Sequence, residues 1–140
     1  MPIAERLSLL ARRAGAALYD GFLLAALWLV ATLPVLGARG GAAVPPGTVW
    51  FELYLLGVAF LFHGWFWTHG GQTLGLRTWR LRVVRDDGRP LGWADAARRF
   101  AAALAALAPA GLGWLWMLAD PQGRAWHDRF SRTRVVRARG

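Results

Sequence analysis

The chain has 140 residues, 56% of them hydrophobic, with nine Trp and seven Phe. This composition fits one compact domain, residues 1–140, and excludes a solvated, disordered tail. The net charge of +9 comes from arginines that lie beside apolar segments, so membrane electrostatics accounts for it better than nucleic-acid binding does. Because cysteine is absent, disulfides and thiolate metal sites are excluded.

The first apolar segment, residues 14–36, is long enough to cross a hydrocarbon core of about 30 Å at about 1.5 Å per residue. Arg13 stands at its entrance and Asp20 lies inside it. The two share a helix face, but they are about 10.5 Å apart along the axis, so no direct salt bridge is expected. Since a carboxylate inside a membrane is costly, Asp20 is predicted to have another partner. Small alanines between the two charges leave a slot for a neighbouring backbone.

The second apolar segment, residues 49–69, is rich in aromatic side chains and contains Glu52 and His63. In an antiparallel pair of helices, His63 lies level with Asp20. This arrangement predicts either a proton or cation relay or a histidine that only packs among aromatic rings. Glu52 shares a stripe with His63, so it either extends a polar line along the helix or is hydrated at the outer interface.

Residues 70–97 form a basic loop that begins with the glycine-framed stretch Gly71, Gln72, Thr73, Leu74 and Gly75. Glycines spaced in this way pair helices only inside an apolar helix, and this stretch lies at the exit of one. Turn chemistry therefore explains the glycines better. Gln72 and Thr73 are expected either to line a cytoplasmic vestibule or to cap the next element.

The third apolar segment, residues 100–119, is broken at Pro109 and the glycines that follow it. This segment is either a third span or a helical hairpin, and the distribution of arginines along the chain distinguishes the two topologies. Because the N-terminal tail, the loop 70–97 and the tail 120–140 are all rich in arginine, all three are expected on the cytoplasmic side. Only the hairpin keeps both termini there, and it is favoured provided that its broken backbone is buried in protein.

Two short runs with strand-like alternation flank this segment, Thr78–Arg85 and Thr133–Arg137. The turn signal Asp86-Asp87-Gly88 follows the first run. The two runs are predicted to pair as β-strands, which requires both to lie on one face of the membrane. The alternative is that each is a solvated basic tail. The predicted fold is thus an all-α membrane protein with a small cytoplasmic strand pair.

These features together resemble the RDD family of small bacterial membrane proteins. The resemblance rests on Arg13 and Asp20, on Gly71 to Gly75, on Leu81 to Val84, and on the late stretch Trp126-His127-Asp128-Arg129. The family is named for one arginine and two aspartates, and the resemblance assigns these to Arg13, Asp20 and Asp128. It implies a protein of the bacterial inner membrane whose activity is not established, with transport of ions or small ligands as the usual suggestion.

Under the hairpin topology, Asp128 returns to the cytoplasmic surface that carries Arg13. The three charges are then expected to gather at the slot beside the alanines, either with one arginine bridging both aspartates or with separate partners. In the second case Asp128 pairs with Arg13, and His63 or a returning backbone pairs with Asp20. As architecture, this trio fixes the C-terminal segment to the first helix. As mechanism, one aspartate is an ion or proton site that the arginine tunes.

No catalytic set is found, because there is no cysteine, no glycine-framed serine, and His127 and Asp128 are neighbours expected to point to different faces. His63 and His69 do not share a helix face, which disfavours a metal site. A non-enzyme without cofactor is expected, acting as a small transporter, as a scaffold or accessory subunit, or as a lipid-binding module. Expected partners are the bilayer, anionic headgroups, and a second copy or another membrane protein.

Overall fold

Two long helices dominate the computed structural model, which describes residues 1–139. Helix α1 covers Ile3–Ala38 and helix α2 covers Val49–Thr68. Both are long and apolar enough to cross a membrane, as predicted. Helix α1 has 36 residues and begins eleven residues before the predicted span, so it extends well beyond the about 20 residues that a bilayer needs. Its N-terminal part is therefore free to contact the rest of the chain.

The third apolar segment is not one continuous helix. Helix α4 covers Trp93–Leu107, and α5 (Leu112–Leu115) continues into a 3-10 turn over Trp116–Leu118. The two parts meet at an angle of 108°. Ala110 and Gly111 both have positive φ at the break, which ends α4 by the turn chemistry predicted from the sequence. Helix α4 begins at Trp93, inside the predicted loop 70–97, because the Asp95 carboxylate accepts a hydrogen bond from the Gly92 N–H.

The predicted strand pair is confirmed. Strand β1 (Leu81–Arg85) pairs antiparallel with β2 (Thr133–Arg137), and Val83 lies opposite Val135. The first strand is shorter than predicted, because residues 74–78 form the short helix α3. The sheet joins the chain before the broken segment to the chain after it, so both lie on the same side of the helices.

The buried core lies where this sheet meets the helices. Leu81 contacts Leu9 of α1 and Met117, while Val83 packs with Trp67 of α2 and Ala96 of α4. The outer faces of α1 and α2, by contrast, expose large apolar side chains. The short helix α6, Trp126–Phe130, precedes β2 and packs against α4. The sheet and α6 therefore bring the C-terminal part of the chain against α1 and α4.

Candidate functional site

Asp128 lies at the centre of a buried charged cluster. It is the third residue of α6, and its carboxylate accepts a hydrogen bond from the Ala125 N–H at 3.0 Å. A carboxylate in the first turn of a helix satisfies a backbone donor that has no partner within the helix. The side chain is 0% exposed. A carboxylate buried in this way needs positive partners to remain ionised.

Two arginines from different helices supply that charge. Arg13 of α1 donates to both oxygens of Asp128, at 2.6 Å to Oδ2 and 3.2 Å to Oδ1. Arg99 of α4 donates to Oδ1 at 2.7 Å and to the Thr133 hydroxyl at 2.8 Å. The Asp128 cluster thus connects α1, α4, α6 and β2. We define it as Arg13, Arg99, His127, Asp128 and Thr133.

Aromatic rings cover both guanidinium groups. The Arg13 guanidinium lies 5.7 Å from the centre of the Trp114 ring, and that of Arg99 lies 5.2 Å from the Trp67 ring. Both distances fit cation–π contacts, which strengthen when the charge is removed from water. The rings also exclude water from the ion pairs, so the Coulomb attraction within the cluster is weakly screened.

His127 belongs to this cluster, contrary to the expectation that it and Asp128 point to different faces. Its Nε2 lies 2.9 Å from Arg13 Nη2. Arginine can only donate, so Nε2 accepts and the imidazole is neutral. Neighbouring residues of a helix differ by about 100°, and the two amino groups of one guanidinium are wide enough to contact both side chains.

Burial and the charges of the cluster together shift the pKa values of His127 and Asp128. Burial, and next the charge of Arg99, lowers the pKa of His127 to about 3. Burial alone would raise the pKa of Asp128, but Arg13 and Arg99 outweigh it and hold that pKa well below its ordinary value. The cluster therefore contains an ionised aspartate and a neutral histidine at physiological pH.

Asp20 occupies a second, separate site. Its carboxylate accepts hydrogen bonds from the Thr73 hydroxyl and from the Gly75 N–H, the latter at 2.8 Å. Among the described residues, its hydrogen bonds do not include Arg13. Arg13 therefore does not bridge the two aspartates: it pairs with Asp128, and Asp20 accepts from a returning backbone instead. The large axial separation of residues 13 and 20 on one helix accounts for this division.

The stretch Gly71 to Gly75 joins α1 to the sheet. Gly71 has positive φ and its carbonyl accepts from the Val83 N–H at 2.8 Å. Gln72 donates to the Leu81 carbonyl, and the Thr73 hydroxyl caps α3 by accepting from the Leu76 N–H. Turn and cap chemistry thus explain the stretch. Gly75 packs against α1 beside Ala16, in the slot between the two charges.

His63 and Glu52 do not continue either site. His63 Nδ1 donates to the Ala59 carbonyl at 2.9 Å, and the ring packs against Trp67 and Phe100. Glu52 is exposed in the first turn of α2, about 16 Å from His63 along the helix. Within residues 1–139 neither side chain hydrogen-bonds to Asp20, so no relay of hydrogen bonds connects the three.

A cavity of about 350 Å³ lies between α1, α2 and α4, beside both sites. We call it the interhelical cavity. Its volume is in the range of small-molecule sites. Polar residues line one end: Arg13, Asp20, His63, Arg99 and His127. Apolar residues farther along the same helices line the other: Leu24, Trp28, Leu56, Leu104 and Leu107.

The sequence profile of the RDD family matches residues 7–132, which is most of the chain. The chain belongs to the RDD family. The match includes Arg13, Asp20 and Asp128, so it spans both charged sites of this RDD protein. No curated protein and no solved structure matches the chain.

Sequence patterns did not identify three members of the Asp128 cluster in this RDD protein. The sequence patterns assign Arg99, His127 and Thr133 no contact with Arg13 or Asp128. The spacing of the buried positions in α4 could have indicated that Arg99 faces the core. The buried face of this helix is formed by Asp95, Ala96, Arg99 and Ala106. An arginine on the buried face of an amphipathic helix needs an acidic partner. Nothing in the local sequence identifies that partner as Asp128.

The neutral state of His127 predicts how the stability of this RDD protein depends on pH. Its pKa of about 3 in the folded state lies below the ordinary 6.5, so between these values the unfolded chain binds more protons. The contribution of His127 is complete above pH 6.5 and is lost as pH falls towards 3, by at most about 1.4 kcal/mol per pH unit. Thermal unfolding in detergent should show this slope.

The variant His127→Gln should flatten this pH dependence, because an amide can accept from Arg13 without titrating. The matched variant His69→Gln alters an exposed imidazole outside the cluster and should keep the slope of the wild type. An unchanged slope in His127→Gln would contradict the neutral state assigned to His127.

Proposed function

We propose that this RDD protein is a non-catalytic, multi-pass protein of the bacterial inner membrane, a scaffold or accessory subunit in which the Asp128 cluster is structural. One observation carries the proposal. Each oxygen of Asp128 accepts two hydrogen bonds, Oδ1 from Arg13 and Arg99 and Oδ2 from Arg13 and Ala125. A carboxylate has about four lone-pair sites. With all four in use, Asp128 has none left for a transported ion or a proton.

The position of the cluster supports a structural role. Asp128 lies on α6, and its partners Arg13 and Arg99 lie on α1 and α4. Separating these helices would leave charges unpaired in a dry site, which is strongly unfavourable. The cluster therefore holds the C-terminal segment on the helices in one arrangement.

The proposed placement has α1 and α2 crossing the bilayer and the broken segment α4–α5 re-entering it from the cytoplasmic side. The arginine-rich N-terminal end of α1 and the arginine-rich segments after α2 and after α5 then all lie in the cytoplasm, next to anionic headgroups. The exposed apolar faces of α1 and α2 contact lipid, a second copy of the chain or another membrane protein. No nucleic acid is expected as a partner.

Reporter fusions test this topology. Green fluorescent protein fused after Gly140 should fluoresce, and alkaline phosphatase at the same position should be inactive, because the tail stays in the cytoplasm. The same reporters inserted between α1 and α2, at Pro45, should give the opposite pair of results. The protein should also sediment with the inner membrane. An active phosphatase after Gly140 would contradict the re-entrant placement.

A second function, transport of a cation or small ligand, is favoured by the presence of Asp20 and His63 in the lining of the interhelical cavity. Ionisable residues inside a membrane domain often mark a transport path. The variant Asp20→Asn separates the two functions in proteoliposomes. The scaffold predicts no flux in the wild type and a lower unfolding temperature in the variant. A transporter predicts flux in the wild type and its loss in a variant that folds normally.

A further inference from the structure

Three residues that line one side of the interhelical cavity carry hydrogen-bond donors without partners. Arg99 Nε, Trp114 Nε1 and His127 Nδ1 are buried, and none has a partner among the described residues. His127 Nδ1 carries a hydrogen because Nε2 accepts from Arg13. All three residues line the cavity. Buried donors without partners are costly. The three nitrogens are covered in this arrangement, so a small rotation of each side chain would bring it to an acceptor group in the cavity and relieve that cost.

Acceptors lie on the opposite side, on α1 and α2. Asp20 accepts one hydrogen bond on each carboxylate oxygen, from Thr73 and Gly75, so about half of its lone-pair sites remain available. His63 uses Nδ1 to donate to Ala59, which leaves Nε2 as an acceptor in the neutral ring. Both side chains line the cavity. The polar end therefore has a donor side, formed by α4, α5 and α6, and an acceptor side.

The charges around the polar end balance. Arg13 and Arg99 are opposed by Asp20 and Asp128, so the formal sum is zero when both histidines are neutral. A net anion gains little from such a site, because Asp20 repels it. A zwitterion whose negative group faces the donors and whose positive group faces Asp20 gains from both sides. Beyond the polar end, the leucines and Trp28 offer an apolar path of the kind that suits an acyl chain.

We propose that the interhelical cavity binds one molecule of a zwitterionic phospholipid with a primary ammonium headgroup. Its phosphate accepts from the side of Arg99, Trp114 and His127, and its ammonium donates to Asp20 and His63. One acyl chain lies along the apolar end of the cavity, between α1 and α4. The lipid is then a structural component that fills the space between the helices. This inference rests on the proposed membrane location, but not on the scaffold role.

Native mass spectrometry of the protein in detergent tests the headgroup. Phosphatidylethanolamine and phosphatidylglycerol with identical acyl chains serve as the two probes. The wild type should retain one phosphatidylethanolamine with about tenfold preference over phosphatidylglycerol, which corresponds to one charge-assisted hydrogen bond of about 1.4 kcal/mol. Equal retention of the two lipids would overturn the proposal, because the basic surface alone holds either headgroup.

A glycine pair tests the location. Gly21 lines the cavity, and a Cβ added there meets no atom within 4 Å, so Gly21→Leu extends towards the cavity without a clash at Cβ. Gly37 lies on the same helix, is equally open, and is remote from the cavity, so Gly37→Leu is the matched control. Gly21→Leu should lose the retained lipid and Gly37→Leu should keep it. Unchanged retention in Gly21→Leu would overturn the assigned location.

The variant Asp20→Asn tests the acceptor side. It should remove the preference for phosphatidylethanolamine, because an amide attracts an ammonium less strongly than a carboxylate does. If this variant does not fold, as circular dichroism would show, the glycine pair still decides the proposal. The reporter fusions test membrane placement independently of lipid retention, so failure of one proposal is distinguishable from failure of the other.

Discussion

Replacing Asp128 by Asn is expected to lower the free energy of unfolding by about 3–5 kcal/mol, the range for removing one partner of a buried ion pair. The reason is that Arg13 and Arg99, each 4% exposed, would keep their charges without a counterion. An asparagine has nearly the same shape, so lost packing contributes little. Denaturant or thermal unfolding in detergent, followed by circular dichroism, measures the effect.

The matched control is Asp87→Asn. Asp87 also pairs with an arginine, Arg85 at 2.7 Å, but its side chain is 43% exposed and water can replace the lost partner. This variant should unfold like the wild type. A second comparison adds Arg99→Met to Asp128→Asn, and the double variant should recover part of the loss because one unpaired charge is removed. Equal stability of Asp128→Asn and the wild type would refute the structural role of the cluster.

Replacing Gly75 by Ala is expected to cost about 3 kcal/mol, because overpacking and a lost hydrogen bond to a charged group combine. A Cβ on Gly75 would lie 2.2 Å from the Ala16 carbonyl oxygen and 2.9 Å from Asp20 Oδ1. Backbone atoms cannot rotate away as a flexible side chain can. Helix α3 must therefore move away from α1, which breaks the bond from the Gly75 N–H to Asp20.

Gly57→Ala is the control for this prediction. Gly57 lies in α2, and an added Cβ meets no atom within 4 Å. Alanine at this helical position should stabilise by up to about 1 kcal/mol. Unfolding temperatures of the two variants, measured in the same detergent, give the comparison. If Gly75→Ala were as stable as Gly57→Ala, close contact between α3 and α1 would not be required for the fold.

Several features of the fold could be predicted because their causes are local. The lengths of the apolar segments indicated α1 and α2, and the break at Pro109 to Gly113 indicated the bent third segment. The two similar runs ending in Arg85 and Arg137 indicated the strand pair. The axial distance between Arg13 and Asp20 showed that each needs another partner. Helix rise, backbone conformation and strand alternation decide all of these within a few residues.

The partners of the buried charges could not be predicted in this way. The sequence determined that Arg13 and Asp20 lie on one helix face, that Gly71 to Gly75 forms a turn, and that basic segments flank the apolar ones. Only the tertiary structure decided which donors each carboxylate binds. Asp128 accepts hydrogen bonds from Arg13 and Arg99, and Asp20 accepts them from Thr73 and Gly75. Which donors reach a buried carboxylate depends on how helices distant in sequence pack, because a hydrogen bond requires about 3 Å and good alignment.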